Sequence, residues 1–158
     1  KQAMIEKYVA LIPQEYAFYQ ELSVKQNLEY FIALNGYSKL ERKQILDTTL
    51  TQCKLSDFSD CKANNLSGGY KRRLNIAIAL SKSPKIIFLD EPTVGIDPIS
   101  RKEIIALLQS LKNEGITILY TSHILNEVEE LCDEVLLLNS GKAISISNLS
   151  ESLFLLLH

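Results

Sequence analysis

The order of apolar and polar positions predicts a chain that changes character near residue 84. In the first part, residues 7–12 (KYVALI) predict a short strand ending at Pro13-Gln14. Residues 24–35 carry Val24, Leu28, Phe31, Ile32 and Leu34 at near-helical spacing, and Gly36 supplies a stop. Residues 39–54 predict a second helix through Leu40, Ile45, Leu46 and Leu50. The stretch 56–66 is polar and predicts a loop. A third helix runs from near Ser67 to about Lys82, where Ser83-Pro84 ends it.

Beyond residue 84 the pattern shifts towards strands. Ile86-Ile87-Phe88-Leu89 is a continuous apolar run, the mark of a strand buried on both faces. Asp97-Pro98 opens a helix, with Asp as N-cap and Pro at the first helical position. Its apolar stripe is Ile104, Ile105, Leu107, Leu108 and Leu111, and Gly115 closes it. Residues 116–121 predict a strand. Residues 124–132 predict a short helix with Ile124, Leu125, Val128, Leu131 and Cys132 on one face. Residues 134–138 and 142–146 predict two more strands. The alternation of strand and helix from 86 to 138 argues for a parallel α/β sheet, and residues 20–83 read as an all-helical insertion. The tail from Leu153 to Leu157 is apolar for a chain end and predicts packing on another surface.

Composition narrows the class. The 158 residues are 46% apolar and 23% charged, as in a globular domain rather than a disordered or collagen-like chain. No uninterrupted apolar run exceeds five residues, against the roughly 20 that a membrane helix needs. Net charge is −2, which gives no electrostatic reason to expect nucleic acid as a partner. Residues 1–83 hold 12 basic and 8 acidic side chains, whereas residues 84–158 hold 5 and 11. The acidic group Glu127, Glu129, Glu130, Asp133 and Glu134 predicts a solvated helix face. Three cysteines without a C-x-x-C pair, and two histidines, argue against a zinc site or a disulfide framework. An odd number of thiols suits a reducing compartment. The chain starts at Lys1 and Met4 is its one Met, so residue 1 is expected not to be the natural start.

Four places carry candidate chemistry. Asp90-Glu91-Pro92 stands where the apolar strand runs out, and ligands of open α/β sheets bind at strand carboxyl ends. One carboxylate there can hold Mg²⁺, and its neighbour can orient or deprotonate a water; the same residues also read as a plain turn. Leu66-Ser67-Gly68-Gly69 precedes a helix. Ser67 suits an N-cap, and two glycines in a first turn make sense where something approaches the backbone closely. A helix N-terminus suits an anion, and a flexible joint is the other reading. His123 follows the strand ITILYT and can hydrogen-bond a phosphate oxygen. Gln14 follows the first strand. Asp97 reads first as an N-cap.

In this order the sites resemble the nucleotide-binding domain of ATP-binding cassette (ABC) transporters, over about residues 5 to 147. Pro13-Gln14 resembles the Q-loop, Leu66 to Gly69 the signature, Ile86 to Pro92 the Walker B motif with its following glutamate, Val94 to Pro98 the D-loop, and Thr121-Ser122-His123 the H-loop. Residues 66–73, 95–98 and 127–133 are similar to the branch that includes lipid, drug and polysaccharide exporters. The resemblance implies a P-loop NTPase fold of the RecA type. Its incomplete ATPase core would take residues 1–19 and 84–158, and a helical subdomain with the signature residues 20–83. It implies ATP and Mg²⁺. Asp90 and Gln14 would serve the metal, Glu91 would be the general base, and Gln14 and His123 would contact the γ-phosphate. Ser67, Gly68 and Gly69 would bind ATP held by a second nucleotide-binding domain, and Asp97 would bridge the dimer. A membrane-spanning transporter domain would be the other partner, placing the chain at the cytoplasmic side of a membrane.

Two departures stand out. Tyr70 takes a place where the family often has Gln. No G-x-x-x-x-G-K-[ST] occurs anywhere in the chain. That loop cradles the phosphates, so the chain by itself is expected to be inactive, the loop falling before Lys1. Two other readings are a soluble ABC-type ATPase and a non-enzymatic cassette remnant. The acidic pI of about 5.7 and the short helical stretch speak against the first. Retention of Gln14, Asp90, Glu91 and His123 speaks against the second.

Overall fold

Strand β1 (Val9–Ile12) is separated from β2 (Ile86–Asp90) by three helices: α1 (Val24–Leu34), α2 (Lys39–Gln52) and α3 (Gly68–Leu80). After β2 come α4 (Pro98–Asn113), β3 (Thr117–Thr121), α5 (Leu125–Leu131), β4 (Val135–Asn139) and β5 (Lys142–Ile146). The computed structural model describes residues 8–139 and 142–146; the apolar tail lies outside them. The elements follow the apolar pattern to within one or two residues at most ends. The polar stretch 56–66 is more ordered than its composition suggests, with short 3₁₀ turns at Ser56–Phe58 and Ala63–Asn65.

Local chemistry sets the helix starts. Ser23 accepts from the Gln26 N–H while the Gln26 side chain accepts from the Ser23 N–H, and Ser38 with Glu41 repeats this reciprocal cap. Asp97 caps α4 by accepting from the Ile99 and Ser100 N–H groups, ahead of Pro98. All five residues of the expected α4 stripe are buried. In α1, Val24, Leu28 and Ile32 are buried but Leu34 is exposed; in α2, Leu46 and Leu50 are buried but Leu40 is exposed.

The chain divides into two compact units at Thr121/Ser122. In the first, β1, β2 and β3 form a parallel sheet in the order β1-β2-β3. Ile12 lies opposite Leu89, and Asp90 opposite Thr121. Helix α3 packs against β1 and the other three helices of this unit, and α4 against β3. Ala10, Ile12, Ile87 and Leu89 are buried on one face of the sheet. The other face is open among the described residues: Leu11, Phe88 and Leu119 form an in-register row, 68%, 40% and 44% exposed. Among the described residues the apolar run 86–89 is therefore covered on one face, where its pattern suggested two.

The second unit corrects a second expectation. Strand β4 pairs with β5 as an antiparallel hairpin, Val135 opposite Ile146 and Asn139 opposite Lys142, rather than extending the parallel sheet. An apolar run such as Val135 to Leu138 suits either pairing, so the sequence pattern does not choose between them.

Candidate functional site

Asp90 and Glu91 leave the carboxyl end of the central strand. Residues 86, 88 and 90 share a sheet face with 117, 119 and 121, so the Asp90–Thr121 pair ends the open apolar row with polar side chains. The Thr121 hydroxyl donates to Asp90 Oδ1 at 2.8 Å. The Glu91 N–H donates both to Thr121 Oγ1 at 3.1 Å and to the Thr121 carbonyl at 3.2 Å. Glu91 has φ +42°, a left-handed conformation rare for a residue with a Cβ, and it precedes Pro92, where extended backbone is usual. Asp90 is thus the last residue of the strand, and a turn begins at Glu91, strained so that the glutamate leaves the line of the strand.

Ser67 occupies the N-cap position of α3, yet its hydroxyl makes no cap hydrogen bond, contrary to the expectation that it caps the helix. Ser67 and Gly68 are exposed and Gly69 is buried. The close approach expected at the glycines is made at Gly69 by Ser100: a Cβ on Gly69 would lie 2.4 Å from both Ser100 Cβ and Oγ. At Gly68 the nearest atoms, on Ile96 and Tyr16, stand at ordinary contact distances. The start of α3 therefore lies against the first turn of α4. Asp97, exposed, is the cap of that turn, and the Ser100 backbone N–H above all holds its carboxyl below the usual aspartate range.

Gln14 is exposed, but its backbone is tied down from α3. Arg72 and Asn75 project from α3 with 3% and 4% exposure. The two Arg72 terminal nitrogens donate to the Pro13 carbonyl at 2.9 Å and the Gln14 carbonyl at 2.7 Å. Asn75 Nδ2 donates to the Pro13 and Glu15 carbonyls, and Asn75 Oδ1 accepts from the Ala17 N–H at 2.9 Å. Arg72 also lies over the Tyr16 ring, 5.2 Å from its centroid. Burial pulls the Arg72 pKa down from its ordinary value, with Tyr16 opposing. Further along, Asn27 exchanges hydrogen bonds with the backbone of Tyr19. On the other side of α3, Arg73 pairs with Glu103 of α4 and lies over the Tyr70 ring.

Sequence reasoning missed Arg72, Asn75 and Thr121. For the first two the signal is polar residues three apart on a helix otherwise rich in buried aliphatics. For Thr121 no local signal exists, because its partners come from another strand.

His123 is the second residue of the second unit and is exposed. Beside it, Ser122 Oγ accepts from the Ile124 N–H at 3.0 Å and donates to Glu127 Oε2 at 3.1 Å. Glu127 is 4% exposed, so it is not part of the solvated acidic face expected for it; the Ser122 hydroxyl donates to its Oε2. Glu129, Glu130, Asp133 and Glu134 are exposed as expected.

Gln14 and Asp90 leave the carboxyl ends of adjacent parallel strands, and α3 and α4 bring Ser67–Gly69 beside Asp97–Ser100. Among the described residues, no three His, Cys, Asp or Glu side chains gather as a metal site. The donors at the strand ends are oxygens, one carboxylate and one amide. That set fits Mg²⁺, which binds through one or two protein oxygens, substrate phosphates and retained waters.

A parallel α/β sheet with carboxylates and a glycine-started helix at its carboxyl edge defines the class of nucleotide-binding ATPase folds. The ABC transporter family model matches residues 1–94, and the chain belongs to that family. It is 36% identical over 149 residues to the linearmycin resistance ATP-binding protein LnrL of Bacillus subtilis (strain 168), covering 94% of this chain and 48% of that one. It is 35% identical over 142 residues to the Nod factor export ATP-binding protein I of Rhizobium sp. (strain N33), covering 90% and 47%. The chain thus spans about half the length of these relatives. Among solved structures, cbiO1 from Clostridium perfringens, part of the ABC transporter complex cbiONQ, superposes with a TM-score of 0.87 at 28% identity, over 96% of this chain and 61% of that one.

Proposed function

We propose that this chain is part of the ATP-binding domain of an ABC exporter, which hydrolyses ATP at a dimer interface to drive transport. The observation that carries the reading is Asp90-Glu91 at the carboxyl end of the central strand, with Glu91 turned by its left-handed backbone. Glu91 is the general base that takes a proton from the attacking water through its carboxylate. His123 donates to the γ-phosphate. Gln14 senses the nucleotide, and its backbone moves with α3 because Arg72 and Asn75 hold it. Ser67, with its hydroxyl not engaged in capping, and the Gly68 and Gly69 N–H groups receive the γ-phosphate of ATP bound to a second nucleotide-binding domain. Asp97 faces the same interface.

Asp90 and Gln14 are the residues that would hold Mg²⁺, which when bound neutralises phosphate charge. Phosphoryl transfer needs positioning and charge stabilisation more than covalent chemistry. The domain comprises the ATPase core, residues 1–19 and 84–158, and the helical subdomain, residues 20–83. It works on the cytoplasmic side of a membrane, against a membrane-spanning partner. Export is favoured by the relative named for Nod factor export. Lacking the G-x-x-x-x-G-K-[ST] loop, this stretch alone does not turn over ATP.

The test is Glu91→Gln in the full-length protein assembled with its membrane partner. ATP binding should persist while hydrolysis falls by about a hundredfold or more, as expected for loss of a general base. Turnover near that of the unmodified protein would remove Glu91 from the role and the reading with it.

A further inference from the structure

We propose that Thr121 is the positioning residue for the Asp90–Glu91 pair, its single hydroxyl setting both the Asp90 carboxylate and the Glu91 backbone. The inference rests on the reading of Glu91 as the base. An ionised carboxylate only accepts hydrogen bonds, so the one hydroxyl hydrogen of Thr121 goes to Asp90 Oδ1, at 2.8 Å. The Leu89 carbonyl, the other acceptor within reach, is at 3.4 Å. The hydroxyl's lone pairs are then left for the Glu91 N–H, at 3.1 Å. The result is a directed chain, from Glu91 N–H through Thr121 O–H to Asp90, in which each bond polarises the next.

The arrangement answers a specific need. Glu91 stands at φ +42° ahead of Pro92, a conformation that its own chemistry disfavours. Thr121 holds its N–H twice, through the hydroxyl and the carbonyl. Parallel register places Thr121 directly opposite Asp90. The β-branched side chain has few χ1 choices, so the hydroxyl keeps its aim without much loss of rotamer freedom. Thr121 touches neither the water nor the nucleotide in this scheme; it acts by fixing the direction from which the Glu91 carboxylate approaches.

The experiment compares Thr121→Val, Thr121→Ser and Glu91→Gln in the full-length protein with its membrane partner. Valine keeps the shape and removes the hydroxyl; serine restores it. Thr121→Val should lower kcat by about tenfold to a hundredfold, the range for a slightly misplaced catalytic group. KM for ATP, nucleotide affinity without turnover and melting temperature should stay unchanged. Amide exchange at Glu91 should quicken in the valine variant, and serine should recover both kcat and protection. Wild-type turnover by Thr121→Val, beside an inactive Glu91→Gln, overturns the positioning role and leaves Glu91 as the base. Full turnover by Glu91→Gln overturns the base itself. A valine variant that loses ATP affinity and melts early, with no rescue by serine, makes Thr121 a structural residue and also overturns the proposal.

Discussion

At φ +42° and directly ahead of Pro92, the Glu91 backbone lies where a residue with a Cβ pays about 1–3 kcal/mol, and the Thr121 bonds hold it there. The apolar run 86–89 marks the strand's end, so both carboxylates are legible in the sequence as candidates. The strain and the hydroxyl bridge are not, because they depend on register with a residue 30 positions away. Asp97 shows the opposite case: its N-cap role follows from Asp-Pro alone, and the structure has it. Because the Ser100 N–H lowers the folded-state pKa of Asp97, the cap's stabilisation is complete above the unfolded pKa of about 3.9. It is lost as pH falls through the lowered folded value. Asn caps helices about as well and does not titrate, so Asp97→Asn should flatten the fall of melting temperature with acid below that pH. An unchanged acid slope would show that the cap carries no proton linkage.

At the scale of elements, α3 serves two neighbours at once. Its start meets α4 through Gly69 and Ser100, and its second turn grips the Pro13–Ala17 segment through Arg72 and Asn75. The sequence marks the glycines as a place of close approach but not what approaches, since that depends on how two helices cross. A Cβ at position 69 would meet Ser100 at 2.4 Å. Gly69→Ala should therefore destabilise by about 1–3 kcal/mol, as overpacking does. Adding Ser100→Gly should cost less than the two single changes summed, a coupling that calorimetric melts of the four variants measure. Helix positions were legible because caps and apolar stripes are local. The β4–β5 hairpin was not, because an apolar run does not say which strand lies beside it.

Over the whole molecule, the order of the motifs along the chain carried the family, and no single motif did. The open row of Leu11, Phe88 and Leu119 was illegible for a related reason: the run 86–89 looks the same whether one or both faces are covered. The ties between α3 and the segment after β1 also govern the order in which the chain assembles. The Arg72 and Asn75 bonds join residues 58 to 62 positions apart, and β1 pairs with β2 over a still longer separation, Val9 with Ile86. Such closures are entropically costly and follow local helix formation. The Gln14 segment should then be a late piece of the folding reaction, docking after α1, α2 and α3 have formed. Asn75→Ala should speed unfolding while leaving the refolding rate nearly unchanged, because contacts absent from the transition state act on the unfolding limb. Stopped-flow folding of the full-length domain reads this directly, and a slowed refolding limb would place the clasp in the nucleus instead.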